Sequence, residues 1–256
     1  MSVTEGVLER DGGERLAYVR CAGQGPGVMF LGGFHSDMTG LKAGWLQAWA
    51  QARGRAFLRF DYSGHGASGG RFEDGCIGQW AGDAIAVLDA LTDGPQILVG
   101  SSMGAWLAIL TALARPQRAA ALLTVAAAPD FTEDLMLPAL TTEQRQVLQR
   151  DGRVLLPSSY ADGPYPITAQ LLDDGRRHLV LRAPLPLTQP ARLLHGTADV
   201  DVPWSRSLQL LEALSGDDVR LTLIKGGDHR LSSPAQLAVL GQTLDELSAC
   251  CDGYCD

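Results

Sequence analysis

None of the 256 residues belongs to an apolar run approaching the ~18 consecutive positions that a membrane-spanning helix requires, so no membrane span is expected. The amino terminus, MSVTEGVLERDGGERL, has no apolar stretch of the kind a secretory signal carries, and no Arg- and Ser-rich transit character. Positive charge is also scarce. Twenty-one Lys and Arg stand against 29 Asp and Glu, for a net charge of −8. The basic residues are spread along the chain, which argues against nucleic acid as a partner. Cysteine is sparse and odd in number: five, three of them in the terminal ACCDGYCD, which does not make a disulfide framework. With no second CxxC pair and no nearby histidine, that tail is a poor metal site, and no cofactor is implied. These absences lead to the expectation of a cytoplasmic protein whose partners are small molecules.

What is present is a rhythm. Apolar, β-branched runs at 16–20, 27–31, 56–60, 96–99, 119–125, 191–194 and 219–224 alternate with stretches of helical period at 40–51, 76–91, 103–113, 204–214 and 234–249. Such alternation predicts an α/β fold, a doubly wound, mostly parallel sheet with helices on both faces. The length suits a single domain over 1–256. Residues 130–186 break the pattern with prolines, charges and one helical piece, TTEQRQVLQR, and no convincing buried strand. A connection of that length between two sheet strands reads as a lid or cap insertion.

The stretch LVGSSMGAW places two serines between glycines at the end of a predicted strand and the start of a helix. Its GxSxG selects Ser102 as a nucleophile on a tight strand-to-helix turn, with Gly100 and Gly104 small enough for strand and helix to approach. Ser101 occupies a variable position and reads as a small filler. A serine hydroxyl needs a histidine to take its proton, and the histidine needs a carboxylate to orient it. On this architecture the order should be Ser, acid, His, each after a strand. Asp199 follows the strand at 191–194 in HGTADVDVP, with Asp201 as its competitor, and His229 follows the strand at 219–224 in KGGDHR. The other histidines, His35, His65, His178 and His195, read as structural or peripheral. Acyl transfer also requires backbone N–H donors for the developing oxyanion. These are assigned to Met103, directly after the nucleophile, and to Phe34 in the glycine loop LGGFHS.

The blocks LGGFHSDMTGLKA, RFDYSGHGASGG, DGPQILVGSSMGAWL, PSSY, RLLHGTAD and DHR resemble the α/β-hydrolase fold. More closely, their order and spacing are similar to its mitochondrial branch of palmitoyl-protein thioesterases and acyl-glucuronide esterases. That resemblance implies Ser102, Asp199 and His229 as catalytic triad, and an ester or thioester substrate, acylated protein included. It departs at position 105, where alanine stands in place of a frequent second glycine, and at the amino terminus, so mitochondrial import is not carried over. A carbon–carbon bond hydrolase on the same scaffold and a non-catalytic ligand-binding relative are the alternatives. In the insertion, Leu135, Met136, Leu137, Leu140 and Leu155 offer an apolar acyl channel. Arg145, Arg150, Arg153, Arg176, Arg177 and Arg182 offer contacts for an anionic leaving group.

Overall fold

The computed structural model describes residues 2–10, 12–157 and 163–253. Cys255 of the terminal cysteine group and most of the PSSY block lie outside the described residues. The chain runs through β1 (Val3–Glu9), β2 (Arg15–Cys21), β3 (Gln24–Leu31), α1 (Leu41–Ala52), β4 (Arg55–Phe60) and α2 (Ile77–Leu91). It continues through β5 (Gln96–Ser101), α3 (Met103–Ala114) and β6 (Ala119–Val125) into the insertion. After it come β9 (Ala191–Gly196), α7 (Ser205–Ala213), β10 (Val219–Ile224) and α8 (Pro234–Asp252). Among the described residues, eight strands form one sheet in the order β1-β2-β4-β3-β5-β6-β9-β10. From β4 to β10 neighbours are parallel; β1 and β2 form an antiparallel hairpin on one edge.

All seven expected strands are present, and β1 is the addition. It pairs on one side only, and Val3 and Val7 stay exposed, so its sequence VTEGVLE carries little of the apolar signal that marks a buried strand. The central strands are apolar without alternation because both sheet faces are covered. On one face α2 and α3 pack Trp80, Leu88, Trp106 and Ile109 onto Met29, Leu58 and Leu98. On the other, α1 and α8 bring Leu46, Trp49, Leu240 and Leu244 onto Val28, Phe57 and Val99. The fully buried indoles of Trp80 and Trp106 keep their N–H groups satisfied by donating to the carbonyls of Ser63 and His178, each at 3.0 Å.

The insertion contains a π-helical turn (Thr132–Met136), α4 (Leu137–Ala139) and α5 (Thr142–Asp151). A two-stranded antiparallel hairpin, β7 (Arg153–Leu156) with β8 (Tyr165–Thr168), and α6 (Ala169–Gly175) follow. α5 is the expected helical piece, opened by a capping box between Thr141 and Gln144. The hairpin was not expected: its strands are four residues each, and β8 carries Pro166. Asp130, fully buried, holds the far end of the insertion by accepting from the amides of Val180 at 2.8 Å and Leu181 at 2.9 Å.

Candidate active site

Ser102 stands between β5 and α3 with φ 55° and ψ −119°, a conformation that L residues rarely adopt. The turn is this tight because strand and helix nearly touch. A Cβ on Gly104 would lie 2.1 Å from the Leu31 carbonyl oxygen, and one on Gly100 would lie 2.4 Å from the Gly104 carbonyl oxygen. Only glycine fits either position, which is the physical content of the two glycines in the motif.

The structure brings Ser102, His229 and Asp199 together. Ser102 Oγ and His229 Nε2 are 3.0 Å apart, and His229 Nδ1 and Asp199 Oδ2 are 2.8 Å apart. With the hydroxyl donating to Nε2, Nδ1–H donates to the carboxylate. The Asp199 side chain is fully buried, while that of His229 is 16% exposed. Burial alone would raise the carboxyl of Asp199. Hydrogen bonds from His195, His229 and the Val202 amide outweigh it and hold the group well below the usual carboxylate range. Asp201, the competing carboxylate, lies close by; its backbone N–H donates to Asp199 Oδ1 at 2.9 Å, so the residue forms part of the turn that orients Asp199.

His195, read as structural, is more closely engaged than that. Its Nε2 lies 3.1 Å from Asp199 Oδ2 and 3.0 Å from the Val202 carbonyl oxygen, and its Nδ1 lies 2.7 Å from Ser207 Oγ. Two acceptors at Nε2 place the proton there, leaving Nδ1 to accept from the Ser207 hydroxyl. This buried imidazole supports the carboxylate from behind. The i, i+4 spacing in HGTAD was the available signal. Among the described residues, Asp199, Asp201 and His229 are the group whose ligating atoms come within 4.8 Å of one another. A cation there would compete with the His229–Asp199 hydrogen bond.

Met103 is the first residue of α3, where the helix dipole favours negative charge, and Phe34 lies in the loop after β3. That loop passes beside Ser102: a Cβ on Gly33 would sit 3.5 Å from Ser102 Cβ. The Phe34 ring is clamped edge-on by Phe72, Trp80, Phe131 and Tyr165, with centroids 5.0 to 6.0 Å away. Two of these four come from outside the sheet layers: Phe131 opens the insertion, and Tyr165 belongs to its hairpin. His65 is buried in the same cluster, against Phe72 and Trp80. Burial, together with His35 and against the hydrogen bond to the Ser63 carbonyl, brings its pKa down to about 4.

The arginines of the insertion are engaged within the protein. Arg153 pairs with Glu73, Arg176 with Glu133 and Asp173, and Arg182 with Asp134 and Asp130. Arg150 pairs with Asp151, Arg177 reaches Asp174 at 4.0 Å, and Arg145 donates to the Leu137 and Leu140 carbonyls. Leu140 is buried and Leu135, Met136 and Leu137 are partly buried against the core, whereas Leu155 is exposed.

Residues 28–240 match the profile of the alpha/beta hydrolase family. The chain is similar to the palmitoyl-protein thioesterase ABHD10, mitochondrial, of Mus musculus, with 40% identity over 94% of this chain and 81% of that protein. It is similar to the protein of the same name in Homo sapiens, with 38% identity over 94% of this chain and 78% of that one. Among solved structures, alpha/beta hydrolase domain-containing protein 10 from mouse superposes with a TM-score of 0.88, at 39% identity and over 95% and 98% of the two chains. A crystal structure of an Agrobacterium vitis S4 protein described as a hydrolase gives a TM-score of 0.93, at 37% identity and over 97% and 100%. These relatives bear out the resemblance read from the motif blocks. They also overturn the expectation of a cytoplasmic protein: the curated relatives that match along nearly the whole chain are named as mitochondrial.

Proposed function

The chain belongs to the alpha/beta hydrolase family and hydrolyses ester or thioester bonds, and we propose that it does so through an acyl-enzyme formed on Ser102. The carrying observation is the continuous relay from Ser102 Oγ to His229 Nε2 and from His229 Nδ1 to a buried, ionised Asp199. Ser102 Oγ attacks the acyl carbonyl carbon while its proton passes to His229 Nε2. The backbone N–H groups of Phe34 and Met103 stabilise the tetrahedral oxyanion. Collapse expels the alkoxide or thiolate, which leaves with the proton from His229. Water then attacks the acyl-enzyme with its proton going to His229, and the carboxylic acid departs as Ser102 recovers its own. Asp199 holds the imidazole in the competent tautomer and stabilises the imidazolium.

The substrate reading is a long acyl group in thioester linkage, acylated protein included, with the insertion as a lid that supplies the apolar contacts. Two things support it. The matching relatives are named palmitoyl-protein thioesterases. The arginines that would meet a glucuronyl carboxylate or a coenzyme A phosphate are already bound to the protein's own carboxylates and carbonyls.

A fluorophosphonate probe tests the nucleophile. Labelling at Ser102, mapped by peptide mass and lost in Ser102→Ala together with about 10⁶ in kcat, is the expected result. Absence of labelling in folded protein would overturn it. Comparing p-nitrophenyl esters of increasing chain length, a palmitoyl-peptide thioester and an acyl glucuronide then tests the substrate class. Preference for the glucuronide would overturn the acyl-chain reading.

A further inference from the structure

Lys42 has no part in the reaction as written, yet its ammonium touches both sides of it. Nζ donates to Ser101 Oγ at 3.2 Å and to the Arg230 carbonyl oxygen at 2.6 Å. Ser101 immediately precedes the nucleophile and Arg230 immediately follows the base. We infer that Lys42 is a positioning residue: one side chain at the start of α1 clamps the strand end carrying Ser102 to the loop carrying His229 and so fixes their separation. The inference rests on the reading of Ser102 and His229 as nucleophile and base.

Three further observations point the same way. Lys42 is the second residue of α1, where the positive end of the helix dipole disfavours a cation, and no acidic residue occupies that first turn to compensate. A position that breaks a local rule calls for a gain elsewhere. The chain contains only two lysines, Lys42 and Lys225, while arginines make its guanidinium–carboxylate pairs. A lysine suits this place because its compact, three-donor head can serve a hydroxyl and a carbonyl lying in different directions, which the planar guanidinium fork matches poorly. Burial brings the Lys42 ammonium down to about 8, with the Asp228 carboxylate opposing and Arg230 reinforcing the shift. Asp228 and Arg230 flank His229, so charges on both sides of the base act on Lys42. The clamp also accounts for Ser101: it is the acceptor through which the elbow is held, and more than a filler.

The test compares wild type with Lys42→Met, Lys42→Arg and Ser101→Ala, measuring the rate of fluorophosphonate labelling at Ser102, kcat and KM on p-nitrophenyl butyrate, and melting temperature. A nucleophile displaced by an ångström loses about 100-fold in rate. Lys42→Met is therefore expected to lose roughly 10- to 100-fold in labelling rate and kcat while KM and melting temperature stay close to wild type. Lys42→Arg recovers part of that loss, and Ser101→Ala loses a few-fold. Wild-type labelling and kcat in folded Lys42→Met would overturn the inference, as would a loss that follows only the fraction of folded protein. Should Lys42→Met fail to fold, Ser101→Ala decides, and labelling at the wild-type rate there overturns it. Failure of wild type to be labelled at all is a different result, one that removes the nucleophile reading and the clamp with it.

Discussion

The strand ends that carry Ser102, Asp199 and His229 are locked by close backbone packing and buried hydrogen bonds, whereas the insertion that touches Phe34 is held by apolar side chains such as Ile167 and Leu172 packed on the core, with ion pairs, one buried carboxylate and edge-on rings around them. At the strand ends there is no slack: glycine is the only residue that fits at 100 and 104, and Asp199 is met by two imidazoles and two amides. In the insertion, Tyr165 and Phe131 lean on Phe34, and the arginines pair across exposed surface. The contrast separates two tasks. On the proposed reading, reaction geometry sits where packing cannot relax, and acyl-group selection sits where contacts can be exchanged at low cost.

The sharpest way to break this division is at Asp199. Asp199→Asn keeps the shape but removes the charge that holds the His229 tautomer, so kcat should fall about 10⁴-fold with the fold intact. Asp201→Asn should change it less than a few-fold, because that residue contributes its backbone N–H to the turn. Steady-state kinetics on a small activated ester reads both. Equal losses would mean that the carboxylate partner had been misassigned.

The pH dependence of stability tests the rigid side. His65 titrates near 4 when folded and near 6.5 when unfolded. Between these values the unfolded chain binds the extra proton, so the contribution is present above pH 6.5 and is lost as the pH falls to 4. The shift corresponds to about 3 kcal/mol. Denaturant unfolding of wild type and His65→Gln across pH 4–7 should show the wild-type curve falling more steeply. Parallel curves would place the proton elsewhere.

Legibility in the sequence follows the same division. Ser102, Asp199 and His229 could be found because parallel strands end on one side of the sheet, so that chain order and strand ends alone bring them together. The apolar runs of β3, β5 and β6 were visible because both faces of the sheet are covered. β1 and the β7–β8 hairpin were hidden for the opposite reason, being short or half-exposed and so without a continuous apolar run. His195 left only the i, i+4 spacing to Asp199 as a signal, its further contacts to Ser207 and Val202 depending on the folded loop, and Lys42 left none, because its contacts to Ser101 and Arg230 form only in three dimensions.

On the insertion side the larger effect belongs to Asp130. Asp130→Ala leaves the buried amide of Val180 and the partly buried amide of Leu181 without their acceptor and should cost about 2 kcal/mol. Because those amides anchor the insertion rather than the sheet, hydrogen exchange should accelerate across 176–185 while β5 and β6 stay protected. Uniform acceleration would show that the two regions open together and that the contrast drawn between them is false.

The smallest effect should come from the surface pairs. Arg176 is 45% exposed at its side chain and bridges Glu133 and Asp173, both of them partly open to water. Solvent screening and the entropy of fixing three long side chains leave such a network worth under about 1 kcal/mol, so Arg176→Ala should move the melting temperature by no more than a few degrees. The informative part is the substrate series. If the arginines serve only to pin the insertion, Arg176→Ala leaves the ratio of kcat/KM for an acyl glucuronide to that for a palmitoyl thioester unchanged. If a guanidinium receives an anionic leaving group, the glucuronide value alone falls. That change in ratio would move substrate recognition from the apolar contacts of the insertion to its charges, at a residue whose removal the fold scarcely registers.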